Sequence, residues 1–287
     1  MQTQWAEISV ESPSESSEAV SALLLEFGCH GVAEQGTDIR KIVGFLPVFD
    51  QLPEIMVELE ARLALMPEYG LPSVSTLTLK YAQETDWEND WKKYFRPMEI
   101  GSRLVIKPSW EEYVGDPERL IVEIDPGQAF GTGGHQTTRL CLECLDEFVE
   151  QGMVVADIGT GSGILAIAAA KLGASLVHAT DIDELPRQIA RENVSRNKLD
   201  GVVVIHGMSV FDTEAVQCDL VVANIIALTI IELTPSIYKR MKPHGIFIAS
   251  GIVDDRESEV ITALEANGFR IVEVIDEEIW RAVVAQK

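Results

Sequence analysis

One stretch limits the possible folds more than any other. Val154-Val155-Ala156-Asp157-Ile158 is a short, β-branched run that leads straight into Gly159-Thr160-Gly161-Ser162-Gly163. The apolar segment Ile164-Leu165-Ala166-Ile167-Ala168-Ala169-Ala170 follows with no loop between. Strand, glycine turn and helix in direct succession open a βα unit, and the strand after such a helix returns parallel in the same sheet. Three glycines in the turn let the backbone reverse sharply and let a ligand approach without a Cβ in the way.

The alternation continues to the end of the chain. Strands are read at Met153–Ile158, Leu176–Asp181, Val202–His206, Asp219–Asn224 and Ile246–Ser250. Helices are read at Ile164–Leu172, Glu184–Asn197, Ala227–Met241 and Asp254–Asn267. Repeated βα units predict a largely parallel sheet covered on both faces. The last two strands, Phe269–Asp276 and Ile279–Ala285, are joined too tightly for a crossover helix, so one of them runs antiparallel.

The glycine spacing discriminates between ligands. The dinucleotide fingerprint is G-x-G-x-x-G, whereas here the pattern is G-x-G-x-G and Ile164 takes the place of the third fingerprint glycine. An NAD-dependent oxidoreductase is therefore a weaker reading. Asp181 ends the next strand, roughly 20 residues on, where a carboxylate accepts hydrogen bonds from both hydroxyls of a ribose without a 2′-phosphate. Asp157, just ahead of the glycines, is placed to fix the loop or a cofactor amine. Asn224 ends the fourth strand, on the edge where open α/β sheets bind ligands, and its amide oxygen can accept from an amine.

The first third reads differently. Strands at Trp5–Val10, Gly31–Glu34, Lys41–Leu46 and Val74–Leu79 and helices at Ser14–Phe27 and Leu52–Met66 give the order β-α-β-β-α-β, a ferredoxin-like α+β pattern. Trp87, Trp91, Tyr94 and Phe95 then share one face of a connecting helix that Pro97 stops. The expected organisation is a small domain at 1–82, a linker helix at 83–100 and a larger domain at 101–287.

Charge and cysteines exclude further classes. Asp and Glu number 46 against 23 Lys and Arg, a net charge of -23 in 287 residues. That balance repels a phosphate backbone, so direct nucleic-acid binding is not expected, and it suits a basic partner. No run of about 18 apolar residues occurs, so no membrane span is expected. Met1 to Ser21 lacks the basic and apolar regions of a signal peptide. Cys141 and Cys144 have CxxC spacing inside a helical run with no second pair, so no metal or redox site is expected. A cytoplasmic protein, monomeric for want of an evident interface, is the expectation.

Two further segments carry a family resemblance. Residues 125–138, DPGQAFGTGGHQTT, resemble the signature DPGxAFGTGxHxTT of the PrmA family, the ribosomal protein L11 methyltransferases, and 221–227, VVANIIA, resemble its VVANILA segment. Gly101 to Trp110 and the small first domain are similar too, so the likeness covers nearly the whole chain. Gly134 and Gln136 replace the commoner Thr and Pro, and the Gly-Pro that usually follows the Asn224 segment is missing.

The resemblance implies a Rossmann-like class I methyltransferase domain, with a seven-stranded, mostly parallel sheet closed by an antiparallel hairpin. It implies S-adenosyl-L-methionine as cofactor and S-adenosyl-L-homocysteine as product. It implies methylation of lysine ε-amines and the N-terminal α-amine of ribosomal protein L11. The cofactor contacts carry over to Thr138, Gly159, Asp181 and Asn224. Gly161 and Gly163 complete the loop, and the glycine-rich segment with Phe130 and Thr132 is a lid or backbone cradle beside it. Asn224 is also the expected catalytic residue, orienting the amine. His135 has two readings, a base or an organiser of its loop. The alternative function is a methyltransferase of the same fold acting on another protein lysine or a small-molecule amine.

Overall fold

A computed structural model describes residues 5–29, 32–48, 52–74, 76–82, 95–125, 135–207 and 217–287. The chain divides into two compact units, the first made mainly of residues 1–96 and the second mainly of residues 97–287.

The first unit contains strands β1 (Trp5–Pro13), β2 (Val32–Gln35), β3 (Ile39–Pro47) and β4 (Thr76–Ala82) with helices α1 (Ser14–Glu26) and α2 (Leu52–Ala64). The strands pair antiparallel in the order β2-β3-β1-β4, the ferredoxin-like arrangement expected from the element order. Ala6, Ile8 and Val10 alternate onto one face of β1 and are fully buried with Leu24, Leu59 and Leu63 of the helices. Each large aliphatic side chain buried this way stabilises the fold by about 1.5–3 kcal/mol. The connecting helix expected from residue 83 falls mainly on 83–94, outside the described residues. Its expected end differs, because Met98–Ile100 is a strand of the second unit.

The second unit is built on a seven-stranded sheet. Its strands are β8 (Val154–Ile158), β9 (Leu176–Thr180), β10 (Val203–His206), β11 (Cys218–Asn224), β12 (Met241–Val253), β13 (Arg270–Glu277) and β14 (Trp280–Gln286). The order is β10-β9-β8-β11-β12-β14-β13, and only β14 opposes its neighbours. This is the class I methyltransferase sheet, with β14 the reversed member of the final hairpin.

Helices α3 (Gln136–Phe148), α4 (Ile164–Lys171), α5 (Glu184–Arg196), α6 (Ala227–Arg240) and α7 (Glu257–Ala266) accompany it. Strand alternation sends Val155, Val222, Ile248 and Val284 to the face under α3 and α4. Ala156, Val221, Phe247 and Val283 go to the face under α6 and α7. Helix α4 is apolar on nearly every side and accordingly buried.

A second small sheet did not register in the sequence. Strands β5 (Met98–Ile100), β6 (Leu104–Lys107) and β7 (Leu120–Glu123) pair in that order, antiparallel then parallel. The β5–β6 turn is pinned to α3 by Asp146, whose carboxylate accepts from Ser102 N at 2.7 Å, Ser102 Oγ at 3.0 Å and Arg103 N and Nε at 3.1 Å.

Candidate active site

Parallel register places three of the expected residues in one row. Ile158, the last residue of β8, pairs with Thr180 of β9 on one side and Ala223 of β11 on the other. The next residue along each strand is Gly159, Asp181 and Asn224. Gly159 therefore sits between Asp181 and Asn224 at the carboxyl edge of the sheet, with adjacent strands about 4.8 Å apart.

The glycine loop is held from several directions. Gly159 N and Thr160 N both donate to Thr180 O at 2.9 Å, and Gly163 N donates to Thr160 O at 2.8 Å. Gly159, Gly161 and Gly163 all have positive φ, at 72°, 55° and 84°, a conformation costly for any residue with a Cβ. A Cβ on Gly159 would also lie 2.5 Å from Ile225 Cγ2. From α5, the buried Asn193 reaches over to donate to Ser162 O at 2.8 Å.

Asp181 faces this loop. Its Oδ2 accepts from Gly161 N at 3.0 Å and its Oδ1 from Asp183 N at 3.1 Å. Each carboxylate oxygen thus keeps a further lone pair for an outside donor.

Asp157 lies fully buried beneath the loop. Its Oδ2 accepts from Thr160 Oγ1 at 2.6 Å and from Ala166 N at 3.1 Å, while Oδ1 has no hydrogen-bond partner among the described residues. Burial is the main cause that pushes its pKa up to about 7. The hydrogen bonds from Thr160 and Ala166 oppose the rise, and the nearby Asp181 charge adds to it.

On the β11 side, Asn224 Nδ2 donates to the buried Thr138 Oγ1 at 3.3 Å. Asn224 is half-buried, and among the described residues its Oδ1 accepts no hydrogen bond. The side chain therefore keeps an amide oxygen for an incoming donor. Thr138 stands in the first turn of α3, whose cap is His135. The His135 Nδ1 accepts from Thr137 N at 3.3 Å and lies 2.8 Å from Thr137 Oγ1. The ring of His135 packs edge-on against Trp280, centroids 5.4 Å apart. Capping and ring contact favour the organising reading of this histidine. Phe130 and Thr132 fall outside the described residues.

Two contributors left no mark in the sequence pattern: Asn193, which donates to Ser162 O, and Arg187, which donates to the Asp181 and Ile182 carbonyls, both read as ordinary helix-surface residues. The cysteines lie in the interior: Cys141 and Cys144 are buried, and burial pushes both thiols up, that of Cys144 to about 12.

Known proteins resemble the chain along nearly its whole length. The model of the family "Ribosomal protein L11 methyltransferase (PrmA)" matches residues 4–287. The ribosomal protein L11 methyltransferase of Clostridium perfringens is 38% identical over 100% of this chain and 99% of its own length. The enzyme of the same name from Thermoanaerobacter pseudethanolicus is 37% identical over 99% of each. A crystal structure of ribosomal protein L11 methylase from Lactobacillus delbrueckii subsp. bulgaricus superposes with a TM-score of 0.62 at 34% identity, covering 67% of this chain and 98% of that one. With a matching family model, full-length relatives and the sheet order in agreement, the chain belongs to the ribosomal protein L11 methyltransferase (PrmA) family.

Proposed function

We propose that the chain transfers methyl groups from S-adenosyl-L-methionine to ribosomal protein L11, at lysine ε-amines and the N-terminal α-amine, and releases S-adenosyl-L-homocysteine. The observation that carries this reading is the row Asp181, Gly159, Asn224, with Thr138 bonded to Asn224. It sets a ribose acceptor, a Cβ-free backbone and an amide at one sheet edge. The fit to the cofactor rests on two features of the chain. Gly159 must stay bare backbone, since a Cβ there would meet Ile225 Cγ2 at 2.5 Å, and the Asp181 oxygens keep acceptor capacity for two hydroxyls.

The cofactor's sulfonium supplies an activated methyl and its leaving group. What remains for the protein is alignment and proton balance. A free lysine amine with pKa near 10.4 is neutral in only about one molecule in 2,500 at pH 7. Burial of the amine at the sheet edge favours the neutral form. The Asn224 Oδ1 would accept one amine hydrogen and so orient the amine lone pair for transfer, which is catalysis by positioning. The proton leaves to water. Thr138 holds the Asn224 amide in place, and Asp181 would hold the ribose. Phe130 and Thr132 retain the contact roles that the family pattern implies. The first unit is assigned the capture of the protein substrate, and the acidic balance of the chain favours a basic one.

Incubation with methyl-labelled cofactor and purified, unmethylated L11, followed by mass mapping, tests the proposal. Label on lysines and on the N-terminal amine is expected. Measurable cofactor binding with no label on L11 would move the acceptor to another amine.

A further inference from the structure

The turn that presents Asp181 concentrates negative charge, with Asp181, Asp183 and Glu184 in quick succession. Arg187 answers it from the start of α5. Its Nη1 donates to the main-chain carbonyls of Asp181 and Ile182, both at 2.8 Å. Its Nε donates to Glu184 Oε2 at 3.2 Å, and Nη2 bonds the same carboxylate. The arginine side chain is only 12% exposed, against 69% for its glutamate partner. A surface ion pair would leave both partners in water, whereas here the guanidinium is drawn onto the backbone. Gly207, just after β10, leaves room for it, since a Cβ there would stand 3.3 Å from Arg187 Cζ.

The location is unusual for a cation. Positive charge in the first turns of a helix opposes the helix dipole, so this side chain needs its local partners to be tolerated there. Its planar fork can reach two carbonyls and a carboxylate at once, which an ammonium cannot do with the same geometry. The two carbonyls it holds belong to the Asp181–Ile182 peptide and to the next one, Ile182–Asp183. Fixing them fixes the direction in which the Asp181 side chain leaves the backbone.

We propose that Arg187 is a positioning residue for the cofactor: by clamping the Asp181 and Ile182 carbonyls it aims the Asp181 carboxylate and so sets cofactor affinity, leaving methyl transfer itself untouched. The inference rests on the reading of Asp181 as the ribose acceptor. The hydrogen bonds of Arg187 run to Asp181, Ile182 and Glu184, so its loss acts through the turn that carries Asp181.

The test uses the full chain as wild type, R187M, R187K, D181A and the D181A/R187M double variant. Steady-state kinetics with saturating L11 and calorimetry with S-adenosyl-L-homocysteine give KM, kcat and Kd. R187M is expected to raise KM and Kd about tenfold while kcat stays within twofold, and R187K to fall between it and wild type. In the D181A background, R187M should add less than a twofold change. Wild-type KM in R187M overturns the proposal, and so does an undiminished tenfold loss in the D181A background, which would mean that Arg187 acts by another route. If R187M does not fold, R187K decides, with an unchanged KM counting against the clamp. An unchanged Kd in D181A alone would show that the ribose reading has failed, and the proposal would fall with it.

Discussion

The Asn224 amide donates to the Thr138 hydroxyl at 3.3 Å, joining the end of β11 to the first turn of α3 across 86 residues of sequence. The bond leaves the Asn224 Oδ1 as the amide's available acceptor and fixes where it sits. Thr138→Val keeps the shape and removes the hydroxyl. The loss of a partner for a half-buried amide costs about 1–3 kcal/mol. Turnover on L11 should fall about tenfold, since each 1.4 kcal/mol of lost transition-state positioning is a factor of ten. Unaltered turnover in Thr138→Val would remove the bond from the account.

Gly159 is needed both for its conformation and for its lack of a side chain. Its φ is 72° and the space for a Cβ is taken by Ile225 Cγ2. Gly159→Ala should lower stability by about 1–2 kcal/mol from the backbone term and weaken cofactor binding further. Adding Ile225→Ala should recover part of the binding by relieving the contact, and none of the backbone strain. Calorimetry and thermal denaturation separate the two; a double variant no better than Gly159→Ala would count against the steric account.

The buried Asp157 makes a pH prediction with a definite sign. Its folded pKa, about 7, lies above the ordinary aspartate value of 3.8. Between these values the folded state holds the proton more tightly than the unfolded chain, so this group's contribution to stability declines as pH rises from about 4 to 7 and is constant above. Asp157→Asn does not ionise. Its stability relative to wild type should therefore improve steadily over that window, by a few kcal/mol in total, and level off beyond it. Urea denaturation across the range checks this, and a difference independent of pH would contradict it.

Asp146 holds the β5–β6 turn through four hydrogen bonds to Ser102 and Arg103. Its side chain is 9% exposed. Asp146→Ala leaves the Ser102 and Arg103 backbone N–H groups and the Arg103 Nε without their acceptor, while Arg103 Nη2 keeps its main-chain oxygens, and should destabilise the fold by about 2–3 kcal/mol. The shift is read in urea denaturation; a change below about 0.5 kcal/mol would show that the turn holds without it.

Much of this site can be read from the sequence because it stands at strand ends. Strand–glycine–helix succession locates Gly159, the next strand end locates Asp181, and the fourth strand end locates Asn224. Parallel register then brings them together without further information. Arg187 and Asn193 escape such reading because their value depends on which way a helix face turns. Each looks like a solvated residue in an exposed amphipathic run. The β5–β7 sheet escapes because its apolar runs, such as Leu104-Val105-Ile106, are too short to show a period. Strand β12 extends back to Met241 through Pro243 and Gly245, residues that read as a break. It pairs there with β11 across a register shift.

The central claim is that Asn224 orients the acceptor amine while the rest of the row holds the cofactor. The most direct test is the single-turnover rate of methyl transfer to L11 by Asn224→Ala with cofactor saturating, beside its affinity for S-adenosyl-L-homocysteine. The account predicts a rate at least about a hundredfold lower, equivalent to roughly 2.7 kcal/mol of barrier, with affinity changed far less. A variant that transfers methyl groups at the wild-type rate would contradict it.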